Sequence, residues 1–91
     1  MNSGSRLLPR TVFIEGRRHK TSLRLEPVMW EALREIARQR ETNLNELVTE
    51  IDRRREASSL TAAIRVYIVD FYRSAAMQAA RGTGLRSPLP V

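Results

Sequence analysis

Three side chains that can bind an anion or a nucleobase edge alternate along one short segment: Lys20, Ser22 and Arg24. Alternate residues of a β-strand point to the same side, so in an extended segment these three share a face. Arginine can donate paired hydrogen bonds to guanine, lysine can bind guanine or phosphate, and serine both donates and accepts. The alternative is a solvated polar face of an amphipathic strand. The residues that alternate with Lys20, Ser22 and Arg24, and that would face a core, are Thr21, Leu23 and Leu25.

A second group of candidate ligand-binding residues lies at positions 43–45. Asn43 is a good helix N-cap, and Glu46 three residues later is typical of a capping-box arrangement. The free backbone N–H groups and the positive dipole end of a helix N-terminus suit a phosphate. We therefore expect Asn43 to cap a helix first, with Asn43, Leu44 and Asn45 as phosphate contacts and Asn45 as the better side-chain candidate.

Two further basic groups flank these positions. Arg17 and Arg18 precede the alternating segment in a turn. They are close enough to it to contact a phosphate, and the alternative is that they remain in solvent. The run Arg53–Arg55 ends an amphipathic segment, where the helix dipole favours cations. We interpret that run as a solvated helix end.

The composition excludes several classes of site. The chain has 91 residues, a formal net charge of +6, no cysteine and a single histidine, His19. Disulfides are therefore excluded, and no metal site is expected. A glycine-rich phosphate loop and a paired-carboxylate site are both missing from the sequence, so we expect neither an enzyme nor a cofactor.

The positive charge is carried by 15 arginines and one lysine. Planar guanidinium groups suit a polyanionic partner, although a codon bias toward arginine would give the same composition. The first ten residues contain no apolar core of signal-peptide length, and no stretch approaches about 18 apolar residues. We therefore expect an intracellular protein without membrane contact.

The periodicity of the apolar residues predicts how these groups are positioned. A strand is expected at about 19–25, and helices are expected at about 27–40, 44–55 and 59–81. Residues 1–9 are expected to form a flexible arm, residues 10–81 a single domain and residues 82–91 a disordered tail. The inner stripe of the third helix is predicted to be Leu60, Ile64, Tyr67, Ile68, Phe71 and Ala75.

The strand is the element that lacks an obvious partner. Leu23 and Leu25 need cover on one face, and an isolated strand edge is unstable. A second copy of the strand, supplied by a two-fold related subunit, would provide both. The strand propensity of Thr11–Ile14 leaves open a second strand that folds back as a hairpin or packs on the body of a dimer.

The pattern of strand, proline, helix, asparagine and helix resembles the ribbon-helix-helix family of transcription factors, in particular the small bacterial domains. The resemblance covers about residues 10–51. The third helix resembles an extension found in a subset of such domains. Within residues 10–51, the segments that match the family best are Thr21–Pro27, Trp30–Leu33 and Asn43–Val48.

The resemblance implies an intertwined homodimer of α+β, mainly α, class, with an intermolecular antiparallel β-ribbon. That ribbon would enter the major groove of double-stranded DNA, with Lys20, Ser22 and Arg24 at base edges. Asn43, Leu44 and Asn45, and also Arg17 and Arg18, would lie at phosphates. The implied function is sequence-specific transcriptional regulation, expected to be repression, in the bacterial cytoplasm on the nucleoid.

Two features depart from the minimal family pattern. A strand at Thr11–Ile14 beside the ribbon would change the shape presented to the groove. The third helix has apolar surface beyond one stripe, which indicates burial against a symmetry mate or assembly into a tetramer. The alternative function is an antitoxin or protein-interaction module whose C-terminal helix binds a partner protein.

Overall fold

The computed structural model describes residues 6–16 and 18–83, where two strands precede three helices. Strand β1 is Leu8–Ile14 and strand β2 is His19–Leu25. The helices are α1, Pro27–Gln39; α2, Leu44–Arg54; and α3, Leu60–Thr83. The predicted class, strands followed by three helices, is confirmed.

The two strands form an antiparallel hairpin within one chain. The turn that joins them holds Glu15 and Gly16 at φ values of 58° and 59°. Glycine adopts this left-handed conformation without a steric penalty, whereas glutamate adopts it less readily. Thr11–Ile14, which left a second strand open in the sequence, lies inside β1.

One hydrophobic core joins the hairpin to all three helices. Leu25 is fully buried and Leu23 is 6% exposed, so both strand leucines are covered by the rest of their own chain. The argument that these two leucines need a second copy for cover is therefore wrong. The buried members of the core are Val12, Ile14, Leu23, Leu25, Trp30, Leu33, Ile36, Ala37, Leu47, Val48, Ile51, Ile64 and Ile68.

The first strand is tied at its beginning to α1. The indole Nε1–H of Trp30 donates to the backbone oxygen of Leu8 at 2.9 Å. Leu8 also lies opposite Leu25 in the hairpin, and Pro9 follows it in β1. The expectation that the flexible arm extends to residue 9 is wrong for these two residues, because pairing and the indole bond hold them in the sheet. Residues 1–5 lie outside the described part of the chain.

The third helix packs on the body only along its first half. Ile64 and Ile68 are buried, and Leu60, Tyr67 and Phe71 pack partly against the core, as the predicted stripe required. Ala75 is exposed, so the stripe ends four residues earlier than predicted. The helix also continues to Thr83, past the predicted boundary at 81. The remaining tail, 84–91, lies outside the described residues.

Two polar clusters hold the helices together at the surface. Arg40, which follows α1, lies 3.2 Å from Glu50 of α2 and donates to the Tyr67 hydroxyl of α3 at 2.7 Å. These partners raise the pKa of Arg40 above its usual value. A hydrogen bond from its own backbone, followed by one from Arg65, lowers the pKa of Glu26. The ion pair between Glu26 and Arg65 joins the start of α1 to α3.

Candidate nucleic-acid interface

The hairpin presents an exposed outer face that contains all three alternating residues. Lys20, Ser22 and Arg24 are exposed, and the residues between them turn toward the core. Antiparallel pairing places cross-strand partners on the same side of a sheet. The β1 residues on this outer face are therefore Pro9 opposite Arg24, Thr11 opposite Ser22, and Phe13 opposite Lys20.

The excess positive charge of the chain is concentrated in this hairpin. The hairpin, residues 8–25, contains five basic residues and one acidic residue, whereas residues 26–83 contain nine of each. The helical body is therefore formally neutral. Charge of one sign concentrated on one element attracts a polyanion to that element. The same hairpin carries Lys20, Ser22 and Arg24.

The guanidinium of Arg24 is available for a ligand. Arg24 is exposed, and among the described residues no carboxylate forms an ion pair with it. Arg10, by contrast, projects on the opposite side of the sheet, where its guanidinium carbon lies 6.0 Å from the Trp30 ring centroid. Arg24 can therefore offer its full set of donors to one planar acceptor edge.

One edge of the hairpin is closed and the other is open. The backbone N–H groups of Phe13 and Glu15 donate to Asn45 Oδ1 at 3.0 Å and to Thr49 Oγ1 at 2.9 Å. Side chains of α2 thus occupy the outer edge of β1, in place of a third strand. Pro9 is four residues before Phe13, so its backbone nitrogen points to the same outer edge. A proline is tolerated there because no N–H is needed for the hairpin ladder.

The direction of the backbone groups also identifies the free edge of β2. Because Phe13 N–H points away from β2, its partner Lys20 points its backbone groups away from β1. Ser22 and Arg24 share that direction. In the described part of the chain the sheet has two strands, so no strand pairs with these groups. This edge can accept another strand.

The start of α2 lies beside the outer edge of β1. Asn43 Oδ1 accepts the backbone N–H of Glu46 at 2.8 Å, which matches the predicted cap. Leu44 packs partly against the core. Asn45 uses its carboxamide oxygen to hold Phe13 N–H, which leaves its NH₂ group as the donor for a ligand.

A shallow groove between α2 and the turn of the hairpin contains three carboxylates. Glu15, Glu46 and Glu50 line it together with Arg53 and the two asparagines. Carboxylates repel phosphate. The phosphate contacts expected at Asn43 and Asn45, which line the same groove, are therefore opposed by these three carboxylates.

The remaining sequence-predicted contacts are less central. Arg18 is exposed in the turn, where its N–H donates to Glu15 O at 3.1 Å. Arg17 lies outside the described residues. In the terminal arginine run, Arg54 pairs with Glu50 and Arg55 pairs with Asp52, which agrees with a solvated helix end.

Sequence reasoning left open a strand at Thr11–Ile14 beside the ribbon but did not identify which of its residues share the outer face. Thr11 and Phe13 flank the alternating residues only because the hairpin forms within the chain. The strand propensity of Thr11–Ile14 and the turn at Gly16 were the available signals. Thr49 is 7% exposed and accepts a hydrogen bond from the Glu15 N–H. No pattern in the neighbouring sequence indicated this role.

Two kinds of feature are absent from the described residues. No group of three or more His, Cys, Asp or Glu side chains there could hold a metal ion. None of the helices in that part of the chain is both long and apolar enough to cross a membrane.

A family model described as a ribbon-helix-helix domain matches residues 8–72, from the first residue of β1 into α3. No curated protein and no solved structure matches the chain. The matched region includes the hairpin, both short helices and the packed half of α3.

Proposed function

We propose that this chain, which belongs to the ribbon-helix-helix family, is a sequence-specific DNA-binding transcriptional regulator, and most simply a repressor. The observation that supports this function is the coincidence of two features on the hairpin. The excess charge lies there, and so do Lys20, Ser22 and Arg24 on one exposed face. Phosphate contacts would provide affinity, and contacts at base edges would provide sequence preference.

The proposed reading surface is built by two copies of the chain. A second copy adds its own β2, antiparallel, to the free edge of the first. The two β2 strands are then the central strands of a four-stranded sheet, with their Lys20, Ser22 and Arg24 side chains on its outer face. A two-stranded ribbon fits a major groove about 12 Å wide. The flanking β1 strands would lie toward the phosphates that border the groove.

Each proposed contact has a physical basis. Arg24 can donate two hydrogen bonds to guanine O6 and N7, Ser22 can donate or accept, and Lys20 can reach guanine or phosphate. The N-terminus of α2, at Asn43 and Asn45, would hold a phosphate and set the register of the domain on DNA. Arg17 and Arg18 would add phosphate contacts beside the turn. None of these roles requires catalysis.

Selection of bound sequences from a random pool of double-stranded DNA tests this function. We expect a motif with two-fold related halves, because a symmetric dimer reads two equivalent half-sites. Binding to the motif should weaken steeply with salt, with a slope of about −0.9 in log K against log salt for each phosphate contact. Recovery of no motif, or affinity that is indifferent to salt, would contradict the proposal.

Replacement of Ser22 by proline tests the paired ribbon. Proline removes an N–H that points to solvent in one chain but bonds to the second β2 in the dimer. We expect the variant to stay folded by circular dichroism and to dimerise about 2 kcal/mol, or roughly thirty-fold, more weakly because two symmetric hydrogen bonds are lost. Sedimentation equilibrium measures the dissociation constant.

Thr11→Pro is the matched control for Ser22→Pro. Thr11 lies opposite Ser22 in the hairpin, and its N–H also points away from the hairpin ladder, but from β1. The control therefore has a similar backbone effect without touching the free edge of β2. Equal dimerisation of the two variants would show that β2 is not the pairing strand.

A further inference from the structure

The α2 side chains that close the outer edge of β1 stop short of Thr11. They bond the backbone N–H groups of Phe13 and Glu15, which lie nearer to the turn. Thr11 lies two residues before Phe13, so its N–H points to the same outer edge. Among the described residues no acceptor bonds this N–H, and no hydrogen bond involves the Thr11 hydroxyl. Thr11 therefore offers two donors that the fold of one chain leaves unused.

The Thr11 side chain lies on the outer face of the hairpin. Thr11 is exposed and lies opposite Ser22 in the antiparallel pairing. Because the N–H groups of both residues point away from the hairpin ladder, the two form a non-hydrogen-bonded pair, in which side chains approach closely. Ser22 is the central residue of β2. The Thr11 hydroxyl is therefore level with the centre of the reading strand, one strand further out.

The surroundings of Thr11 favour an anion. The outer face, formed by the three alternating β2 residues and their β1 partners, carries two cations and no carboxylate. The one acidic residue of the hairpin, Glu15, lines the groove beside α2 together with Glu46 and Glu50. Thr11 does not line that groove. Its donors are thus set apart from the carboxylates that oppose a phosphate at the start of α2.

In the proposed pair of chains, Thr11 lies over the edge of the major groove. Neighbouring strands are about 4.8 Å apart, so the two β1 strands of a four-stranded sheet are about 14 Å apart. The major groove is about 12 Å wide. Side chains of β2 therefore enter the groove, whereas side chains of β1 meet its two phosphate rims. Threonine hydroxyls and backbone N–H groups are both common donors to phosphate.

We propose that Thr11 of each chain anchors the reading sheet to one DNA phosphate, with its hydroxyl and its backbone N–H both donating to phosphate oxygens. This inference rests on the proposed function and gives β1 a direct role on DNA. The two anchors, related by the two-fold axis, hold both rims of the groove. They therefore fix how deeply Ser22 and Arg24 enter it.

Thr11→Val tests the hydroxyl. Valine keeps the branched shape and the strand propensity of threonine and removes the side-chain donor. We expect binding to the selected motif to weaken about 30-fold, because two symmetric hydrogen bonds to phosphate are lost. Binding to an unrelated duplex should weaken by a similar factor, since a phosphate carries no sequence information. Fluorescence anisotropy measures both affinities, on protein shown by circular dichroism and sedimentation to be a folded dimer.

Thr11→Lys tests the same position by a gain of charge. A lysine that meets a phosphate at each rim releases further counterions. The slope of log K against log salt should therefore steepen by about 1.8, which is about 0.9 for each of two phosphates. Met77→Lys is the matched control, because it adds the same charge at a residue that is 55% exposed on α3. We expect this control to change the slope far less.

The results separate this inference from the proposed function. If Thr11→Val binds like the wild type while Arg24→Ala binds weakly, the inference is wrong and the proposed function stands. A loss in Thr11→Val that is confined to the motif would show that Thr11 contacts a base and not a phosphate. Equal salt slopes for Thr11→Lys and Met77→Lys would show that no phosphate lies at Thr11. Failure of the wild type to bind DNA would overturn the inference and the proposed function together.

Discussion

Arg24→Ala is expected to reduce the affinity for the selected DNA motif by about 30-fold to 25,000-fold, while the protein remains folded. A bidentate arginine–guanine contact is worth about 1–3 kcal/mol, and a symmetric dimer makes that contact twice. Arg24 is exposed and has no carboxylate partner among the described residues, so its loss leaves no unpaired charge behind. Fluorescence anisotropy at constant salt measures the change.

Two variants separate base reading from net charge. Arg34→Ala removes the same charge from an exposed site on α1 and should change affinity far less. Arg24→Lys keeps the charge but cannot form the planar paired hydrogen bonds, so it should lose specificity more than affinity. If Arg24→Ala and Arg34→Ala had equal effects, Arg24 would act as bulk charge and would not be a base-reading residue.

Trp30→Ala is expected to reduce the free energy of unfolding by about 3–5 kcal/mol. Trp30 is 1% exposed, and the substitution leaves a cavity in the core shared by the hairpin and helices. It also removes the hydrogen bond to Leu8 O, which anchors the beginning of β1. A domain of this size has about 5–15 kcal/mol of stability, so the variant should be close to unfolded at physiological temperature. Urea unfolding followed by circular dichroism measures the loss.

Matched variants divide this loss between packing and hydrogen bonding. Trp30→Phe keeps most of the apolar contact but removes the indole donor, so we expect a loss of about 1–3 kcal/mol. Val28→Ala, in the same helix turn and 62% exposed, should change stability by less than about 0.5 kcal/mol. A loss in Trp30→Ala no larger than that in Val28→Ala would show that the core does not depend on Trp30.

The helices and β2 could be predicted because their signals are local. Period-two alternation separated Lys20, Ser22 and Arg24 from the core leucines, and the Asn43 cap located the start of α2 to the residue. Period and capping act over a few neighbouring residues, so a single sequence contains them.

The predicted end of the α3 stripe failed for a different reason. Ala75 has the periodicity of a buried residue, yet it is exposed because the body of the domain ends at Phe71. How far a helix remains covered depends on the lengths of the elements it packs against. Those lengths are a property of the assembled domain and not of the helix sequence.

The alternating residues of β2 illustrate the division between sequence and tertiary structure. The sequence by itself determined which side chains of this strand face outward, because successive side chains alternate whatever the strand pairs with. Only the tertiary structure decided that β1 pairs with one edge of β2 and that Asn45 and Thr49 bond to the outer edge of β1. It also decided that no other strand of the described residues pairs with the second edge of β2, to which Lys20, Ser22 and Arg24 point their backbone groups. Backbone hydrogen bonds are the same for every residue type apart from proline, so the choice between strand partners depends on contacts far apart in the chain.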